Sequence, residues 1–452
     1  MRKRFFSKLA IVMSTALAVS GCFCPIDKAF VNAETIQDED DSYYDDDSDY
    51  DDSTDDSYDD STDDSYDDST DDSDNEETTG TKIDDVKLSS SELQAFVKES
   101  DSDENGYISQ SEAEKITYVS ISKKASQSDL TQIIKLYPNI SELMWNAGTL
   151  TKLTFPKNNI KRLNITSKAA SQLVISGINQ KLNNLFYTAQ GSKKYAFNFA
   201  KGSAYKKVED FNLMGKQING VKLSNAEVGT LYVTDTSAKK IDASSDKIIN
   251  LWVQNNKKLS SFTVRNCSKL KSVSCGYNAL SRLNISGCPK LLSVSCDRNK
   301  LTKLDISKYK NLKSISCGQN KLKKFDISKN KKLISVYCND NKLTELNTSK
   351  NKKLSYFGCS NNKLNKLNVM PNKKLTTLSC YGNKFTKVNL KKNKELVSMA
   401  VSKTYKLMSS YIPTASKSNT NYIYIDVKKG TKLNLVKYAP ALKKAKFRIG
   451  ED

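Results

Sequence analysis

The sequence predicts an α/β-solenoid dominated by short parallel strands, with a small helical cap at its N-terminal end. The first observation is a leucine that recurs every 21 residues, at Leu270, Leu291, Leu312, Leu333, Leu354, Leu375 and Leu396. The second is that the first six leucines are each followed by apolar residues at offsets 3 and 5 and by asparagine at offset 8. A fixed period of this length is typical of stacked units, because one unit alone cannot bury its apolar row.

Within one unit, the apolar residues at offsets 3 and 5 lie on the same side of a strand, so both are predicted to face the core. The second is always a cysteine: Cys275, Cys296, Cys317, Cys338, Cys359 and Cys380. The asparagines that follow form the asparagine column: Asn278, Asn299, Asn320, Asn341, Asn362 and Asn383. A buried amide both donates and accepts, so each is predicted to bond backbone groups of its own coil and the next one.

This unit resembles the short bacterial leucine-rich repeat with cysteine at the third apolar position. The resemblance is dense over 270–401 and weaker upstream, where starts at Ile140, Ile160, Leu182, Val208, Val228 and Ile248 give units of 20 to 26 residues. It implies a leucine-rich repeat rod of about 13 coils over 119–401, with a C-terminal cap over 402–452. Proteins of this family commonly bind partners on the concave face of the strands.

The first residues are typical of an export signal. A basic stretch at 2–4 precedes an apolar stretch at 9–19, too short to span a membrane. Residues 19–22 resemble a lipobox, so cleavage after residue 21 would leave Cys22 lipidated. Cleavage after Ala33 would instead remove a signal peptide of residues 1–33 and release the chain. Both alternatives place the protein outside the cell or on its surface, with membrane contact only through a lipid anchor.

Charge is strongly segregated along the chain. Residues 34–77 contain 24 acidic and no basic residues, which predicts a disordered acidic spacer over 34–80. Residues 1–33 contain five Lys and Arg and one Asp, so 78–452 contain 71 − 5 = 66 basic and 51 − 24 − 1 = 26 acidic residues, a net +40. Only seven of the 71 basic residues are arginine, and a nucleic-acid partner is therefore not expected.

Lysines cluster late in each unit and would form a basic ribbon along one edge of the stack. The ribbon includes Lys329, Lys331, Lys332, Lys350, Lys352 and Lys353. It is either a solvated edge or a surface that binds anionic wall polymers, acidic glycans or an acidic partner. The strand face, by contrast, contains mostly serine and threonine, interrupted by Tyr337 and Tyr356, with Tyr381 just beyond. The sequence shows only that this face is polar, and the resemblance to leucine-rich repeats implies that it is the default site for a protein or glycan partner at the cell surface.

Ahead of the repeats, residues 101–112 match the twelve-residue EF-hand loop. Ca²⁺ prefers six to eight oxygen ligands. Asp101, Asp103 and Asn105 would supply side-chain oxygens, Tyr107 its carbonyl and Glu112 two carboxylate oxygens, while Gly106 permits the sharp bend. The resemblance is to the single EF-hand-like loop that precedes such repeats in some exported bacterial proteins. A dockerin is the minor alternative, because dockerins contain two loops and no second one is found.

The loop's flanks predict an N-terminal cap over 81–118. Ser89 and Glu92 have the spacing of a capping box for a helix through about Glu99, and Ser109 and Glu112 have the same spacing for a second, short helix. A first strand near Val119 and a helical stretch over 129–136 follow. Terminal coils of a solenoid need a cap, so we expect Ca²⁺ to rigidify this region.

The cysteines and the lack of histidine limit the disulfides and the catalytic groups that this chain can form. The six repeat cysteines are predicted to be buried free thiols, because Cβ vectors in neighbouring parallel strands disfavour a disulfide. Cys267 and Cys288 occupy corresponding places of successive coils, and the sequence does not decide whether they form a disulfide. The chain contains no histidine, which removes the usual general base. The sequence therefore predicts a binding protein and no enzyme.

Overall fold

The computed structural model describes residues 80–178, 180–223, 226–380, 382–385 and 392–393, together with the backbone of three strands within 398–451. All of these residues fall in one compact unit, Thr78–Asp452. The predicted signal segment, nearly all of the acidic spacer and most of the C-terminal cap lie outside the described residues, and so does Cys22.

Sixteen strands form the main sheet, and every neighbouring pair in it is parallel. The strands are β3 (Tyr118–Ser120), β4 (Glu142–Gly148), β6 (Arg162–Ser167), β8 (Leu182–Ala189), β10 (Lys207–Met214), β12 (Glu227–Thr234), β14 (Asn250–Gln254), β16 (Ser272–Ser274), β18 (Ser293–Ser295), β19 (Ser314–Ser316), β20 (Ser335–Tyr337), β21 (Tyr356–Gly358), β22 (Thr377–Ser379), β23 (Ser398–Ser402), β24 (Tyr422–Val427) and β25 (Lys446–Glu451). Every predicted coil start from Ile140 to Leu396 is followed by one of these strands, so the predicted solenoid fold is confirmed.

The regular coils bury their repeated apolar residues completely. In the coil that begins at Leu312, that leucine, Ile315 and Cys317 are all 0% exposed. Burying each such side chain stabilises the fold by roughly 1.5–3 kcal/mol. Since the strand is only three residues long, this stacked core, rather than the ladder of one strand pair, holds each coil in place.

The coils up to the one that begins at Leu270 contain additional strands that the sequence did not predict. A five-stranded parallel sheet comprises β9 (Tyr195–Asn198), β11 (Ile218–Lys222), β13 (Lys240–Asp242), β15 (Ser261–Arg265) and β17 (Asn284–Ser286). A parallel pair comprises β5 (Lys152–Thr154) and β7 (Val174–Ser176). These segments alternate exposed and buried residues, as in Lys240, Ile241 and Asp242, which is the period-2 pattern of a half-buried strand.

Three helices precede or interrupt the first coils: α1 (Ser91–Ser100), α2 (Gln110–Lys115) and α3 (Gln127–Leu136). Short 3₁₀ turns lie at Ile83–Asp85 and Ser203–Tyr205. Strands β1 (Gly80–Lys82) and β2 (Tyr107–Ser109) pair antiparallel. Leu93 of α1 and Leu130 of α3 are fully buried in the same apolar core as Leu143 of the main sheet. The helical segments therefore pack against the same apolar core as the main sheet.

One predicted capping box is confirmed and the other is wrong. Ser109 and Glu112 bond each other's backbone N–H groups at the start of α2. At α1, however, the N-cap is Ser90, whose side chain makes no capping bond. The Glu92 carboxylate accepts from the N–H groups of Ser122 and Lys123 instead. Spacing alone predicted a local bond, whereas the side chain bonds a loop that is distant in sequence.

The asparagine column bonds the backbone of two coils, as predicted, but the second coil is the preceding one. Asn320 Nδ2 donates to the carbonyls of Cys317 in its own coil at 3.2 Å and Cys296 in the preceding coil at 2.9 Å. Its Oδ1 accepts from the N–H of Leu301, also in the preceding coil, at 2.9 Å. Each amide thus bonds backbone groups that would otherwise be buried without partners. Leaving one such group without a hydrogen bond destabilises a fold by about 1–3 kcal/mol.

A second column of polar residues was not predicted. It lies at the turn among the lysines and recurs every 21 residues, as Cys267, Cys288, Tyr309, Asn330, Asn351, Asn372 and Asn393. The four asparagines are 0% exposed. Asn351 Nδ2, for example, donates to the carbonyls of Ile327 at 3.0 Å and Asn330 at 2.9 Å. We call this set the turn column, and it fixes the opposite corner of each coil.

Candidate functional site

The outward side of the main sheet contains a continuous face on β4, β6, β8, β10, β12 and β14. Each strand presents three outward positions, and the parallel register aligns them in three rows. The central row is Met144, Asn164, Phe186, Asn212, Tyr232 and Trp252. The flanking rows are Glu142, Arg162, Asn184, Asp210, Thr230 and Asn250 on one side, and Asn146, Thr166, Thr188, Met214, Thr234 and Gln254 on the other. We call these positions the six-strand face.

Large apolar side chains are exposed on the six-strand face. Phe186 is 42% exposed and Met214 is 39% exposed, and among the described residues only Tyr356, at 39%, joins them as an exposed large hydrophobic side chain. Tyr232 and Trp252 are neighbours in register, and their rings stack with centroids 6.0 Å apart and planes 15° apart. An exposed patch of this kind marks an interaction surface more often than a surface without function.

The tyrosines predicted as ligand contacts lie further along the same sheet. The central row continues from Trp252 through three serines to Tyr337, and Tyr356 projects from the neighbouring row. Tyr381 lies outside the described residues. The sequence prediction missed the aromatic patch of the six-strand face because these coils lack the 21-residue period. In Asn250–Gln254, apolar core residues alternate with outward residues, and one of the outward residues is a tryptophan. This pattern could have indicated an aromatic residue on the outer side of the sheet.

Four of the eight serines on the strand face of the regular coils are buried. Ser274, Ser314 and Ser335 are 6%, 6% and 8% exposed, and Ser316 is 0% exposed. Asp297 accepts hydrogen bonds from the hydroxyls of Ser295 and Ser316 at 2.9 and 2.7 Å. Desolvation raises the pKa of Asp297 despite these bonds. Ser272, Ser293, Ser295 and Ser379 stay partly exposed, so the serine rows offer a partner an interrupted polar surface.

Lysines are absent from the six-strand face although residues 78–452 carry a net +40. Its charged residues are Glu142, Arg162 and Asp210. Arg162 forms an ion pair with Glu142 at 2.5 Å, and Asp210 accepts from Asn184 Nδ2 at 3.4 Å. The face consequently combines aromatic, amide and hydroxyl groups with almost no free charge.

The predicted lysine ribbon lies on the turn corner of the coils, where the six lysines named above are all exposed. They flank Asn330 and Asn351 of the turn column, whose burial fixes the backbone between them. Lys332 Nζ bonds Asn311 Oδ1 at 2.8 Å. None of the ion pairs among the described residues involves these lysines. The ribbon is thus a real concentration of exposed positive charge.

The predicted calcium loop brings acidic side chains together. Asp101, Asp103 and Glu112 each place a carboxylate oxygen within 4.8 Å of the others. The N–H of Gly106 donates to Asp101 Oδ2 at 2.9 Å, and Asn105 Nδ2 donates to Asp103 Oδ2 at 2.9 Å. Gly106 has φ +82°, a conformation that L side chains rarely adopt. The loop therefore turns sharply enough to gather its oxygens on one side.

The carboxylates of this loop differ in their electrostatics. Hydrogen bonds, from the Ser102 hydroxyl above all, outweigh desolvation and lower the pKa of Glu112 to about 2. For Asp103 the Asn105 N–H lowers the pKa, but desolvation, the bond to Asp101 and the nearby negative charges outweigh it and leave the pKa raised. The Asp103 carboxylate thus lies close to the carboxylates of Asp101 and Glu112.

Tyr107, the predicted carbonyl ligand, begins β2. Its N–H donates to Asn105 Oδ1 at 2.8 Å. The N–H and carbonyl of one residue point to the same side of an extended strand, so the Tyr107 carbonyl faces the loop rather than β1. The neighbouring carbonyl of Gly106 accepts from the N–H of Ile83 in the opposite direction. The structure therefore brings three of the five predicted ligand residues together, Asp101, Asp103 and Glu112, with Asn105 and Tyr107 in the same loop.

The cysteines of the described residues are free thiols, and all are buried. Burial raises the pKa of the repeat cysteines, as for Cys317, which makes these thiols unreactive. Cys267 and Cys288 belong to the turn column, where their sulfurs donate to the carbonyls of Arg265 and Ser286 at 3.3 Å each. A hydrogen bond between the two thiols, above all, lowers the pKa of Cys288 to about 7.

Comparisons with known proteins concern the fold. The sequence matches no protein-family model and no curated protein. Its structure is similar to the functional domain of InlJ from Listeria monocytogenes, which includes a cysteine ladder, at 18% identity and a TM-score of 0.41, covering 78% of each chain. It is also similar to the internalin InlF of Listeria monocytogenes, at 15% identity and a TM-score of 0.43, covering 83% of this chain and 98% of that one. A leucine-rich repeat protein of Leptospira interrogans is similar at 16% identity and a TM-score of 0.35, covering 60% of this chain and 77% of that one. No helix among the described residues is long and apolar enough to cross a membrane.

Proposed function

We propose that this protein is an exported cell-surface recognition or adhesion module that binds a macromolecular partner through the six-strand face. The observation that carries the proposal is the exposed apolar patch of Phe186 and Met214 beside the stacked Tyr232 and Trp252. Aromatic side chains supply much of the binding energy at protein surfaces because they bury a large area with few rotatable bonds. The signal segment supports export, either as a lipoprotein through Cys22 or as a secreted chain.

Retention of the full chain by host and bacterial surface fractions tests this proposal. We expect the chain to be retained, the variant Trp252→Ala to lose most of that retention, and raised salt to have little effect because the face is nearly uncharged. Tyr356→Ala, which removes an exposed aromatic ring outside the six-strand face, is the matched control. Equal retention of Trp252→Ala and the unmodified chain would contradict the proposal.

A second candidate is binding of anionic wall polymers by the lysine ribbon. Its supporting observation is three exposed lysines on each of two successive coils, none of which forms an ion pair among the described residues. Lysine contacts to a polyanion are screened, since the Debye length is about 8 Å at physiological salt. Retention on heparin should then fall steeply with salt and should be weakened by the triple change of Lys329, Lys331 and Lys332 to glutamine. Retention that is independent of salt would contradict this candidate.

We also propose that Ca²⁺ binds Asp101, Asp103, Asn105, Tyr107 and Glu112 and stabilises the N-terminal cap. Support comes from the gathered oxygens, because Ca²⁺–oxygen distances of about 2.3–2.6 Å let one ion contact ligands that are ~5 Å apart. Glu112 caps α2 and is nearly buried, so ion binding would connect the loop directly to the packed core.

Thermal unfolding with Ca²⁺ or with a chelator tests the calcium proposal. A site filled at a hundredfold excess over its Kd stabilises the folded state by about 2.7 kcal/mol. Asp103→Asn should abolish the calcium-dependent rise in Tm, and it is a cleaner change than Glu112→Ala because Asp103 is exposed and caps no helix. Asp85→Asn, an exposed aspartate outside the loop, is the control and should keep the rise. A Tm that Ca²⁺ leaves unmoved would refute the proposal.

A further inference from the structure

The arrangement of the six-strand face identifies the chemical class of its partner, and this step rests on the proposed function. The central row alternates apolar and amide side chains across the strands: Met144, Asn164, Phe186, Asn212, Tyr232 and then Trp252. Strands lie about 4.8 Å apart, so this row extends over roughly 24 Å from β4 to β14. A partner that uses the whole row is therefore extended and lies across the strands.

The polar groups of the face suit hydroxyl groups of a partner. The face contains six amides, at Asn146, Asn164, Asn184, Asn212, Asn250 and Gln254, and four threonines, at Thr166, Thr188, Thr230 and Thr234. Three of the amides also bond the protein: Asn146 bonds Ser122 and Gly148, Asn184 donates to Asp210, and Gln254 donates to Ser274. A carboxamide both donates and accepts hydrogen bonds, as a sugar hydroxyl does. Aromatic rings between such amides pack against the apolar C–H surface of a sugar ring. The row thus offers both kinds of contact that a sugar chain presents.

The charge of the face argues against other partners. The three charged residues give the six-strand face a formal net charge of −1, whereas residues 78–452 together carry a net charge of +40. A polyanion would be drawn to the lysine ribbon rather than to this face. Protein interfaces are enriched in arginine as well as aromatic residues, and the single arginine of this face is already paired with Glu142.

We propose that the six-strand face binds a neutral, extended polysaccharide whose chain runs across the strands along the central row. Phe186, Tyr232 and Trp252 pack against its sugar rings, and the amides between and beside them bond its hydroxyls. Asn212 lies in register between Phe186 and Tyr232, and so it contacts the sugar bound between these two rings. The lysine ribbon takes no part in this binding.

Affinity electrophoresis of the full chain tests this proposal, with hydroxyethylcellulose, laminarin, galactomannan and soluble starch as neutral polymers and heparin as the polyanion. We expect at least one neutral polymer to retard the chain equally at low and high salt. Trp252→Ala and Phe186→Ala should each weaken that binding about tenfold. Tyr356→Ala and the triple lysine-to-glutamine variant, both outside the face, should bind as the unmodified chain does. Circular dichroism checks that each variant is folded.

Two results would overturn the proposal. One is the absence of retardation by every neutral polymer, and the other is retardation that Trp252→Ala and Phe186→Ala leave unchanged. If the neutral polymers fail but a surface protein stripped of its glycans is still bound in a way that needs Trp252, the partner is a protein. In that case the proposed recognition function stands and only its assignment to a glycan is wrong.

Discussion

Single buried amides connect neighbouring coils in this molecule, and Asn320 allows their contribution to be measured. Its side chain is 8% exposed and makes four hydrogen bonds to backbone groups. Asn320→Ala leaves several of those groups buried without partners, so we expect a loss of roughly 3 kcal/mol in the free energy of unfolding. Urea denaturation measures it. Asn365→Ala, which changes an exposed asparagine two coils further on, should alter stability by less than about 0.5 kcal/mol.

Asn320→Asp separates hydrogen bonding from side-chain size. The aspartate has nearly the same shape and can accept from the Leu301 N–H, but an ionised carboxylate cannot donate to the three carbonyls that Asn320 bonds. We therefore expect Asn320→Asp to be at least as unstable as Asn320→Ala at neutral pH. A variant as stable as the unmodified protein would show that the donated bonds contribute little.

What the sequence could predict at this scale depended on repetition of one residue type. The asparagine column was visible because every regular unit has asparagine there. The turn column was missed because its first members are Cys267, Cys288 and Tyr309 and its asparagines stand among lysines. A third column, with φ between +50° and +58° at Tyr277, Arg298, Gln319, Asp340 and Asn361, was invisible because five different residue types occupy it. Only the folded bend imposes that conformation.

At the scale of elements, the contact between α3 and the segment before α1 shows how the N-terminal cap is held. Asp129 is 0% exposed and accepts hydrogen bonds from the N–H and hydroxyl groups of both Ser89 and Ser126. Ser126 is the N-cap of α3. Sequence spacing assigned Ser89 to a local capping box, because a pattern of four residues cannot show that a side chain 40 positions away is closer in space.

Asp129→Asn should destabilise this connection, and the effect should depend on pH. Desolvation raises the pKa of Asp129, but bonds from Ser89 and Ser126 outweigh it and leave the pKa below its usual 3.8. The carboxylate therefore stabilises the fold above about pH 4, and this contribution is lost as the pH falls through the lower folded value. We expect Asp129→Asn to lower the free energy of unfolding by about 2 kcal/mol at neutral pH. In acid, the difference in this free energy between the variant and the unmodified protein should become smaller.

The control for this prediction is Asp246→Asn. Asp246 is exposed and its contact is with the neighbouring Lys247, so the change should be nearly neutral at every pH. Urea midpoints of the three proteins over a pH series supply the comparison. A constant difference between Asp129→Asn and the unmodified protein down to the lowest pH would show that the carboxylate charge is not what stabilises the contact.

At the scale of the whole molecule, the fold was predictable where each coil obeys one period, whereas the arrangement of the six-strand face was not. Leu312, Ile315 and Cys317 recur in equivalent forms in every regular coil, so their burial follows from stacking alone. The six-strand face belongs to coils of unequal length, where Phe186 and Trp252 have no repeated counterpart. Their adjacency depends on the register of long strands, which only the folded sheet determines. The regular coils therefore contribute the repeated apolar core, and the irregular coils contribute the aromatic residues of the six-strand face.

Stability in such a stack should be local, because each coil contacts only its neighbours. The repeat thiols report on this, since burial raises the pKa of Cys296 and Cys317 and protects them from alkylation. Asn320 bonds the carbonyls of both residues, so Asn320→Ala should expose these two thiols through local opening. We expect iodoacetamide labelling, read by mass spectrometry, to rise at Cys296 and Cys317 well before Cys380. A uniform rise at all repeat thiols would instead show that the solenoid opens as one cooperative unit.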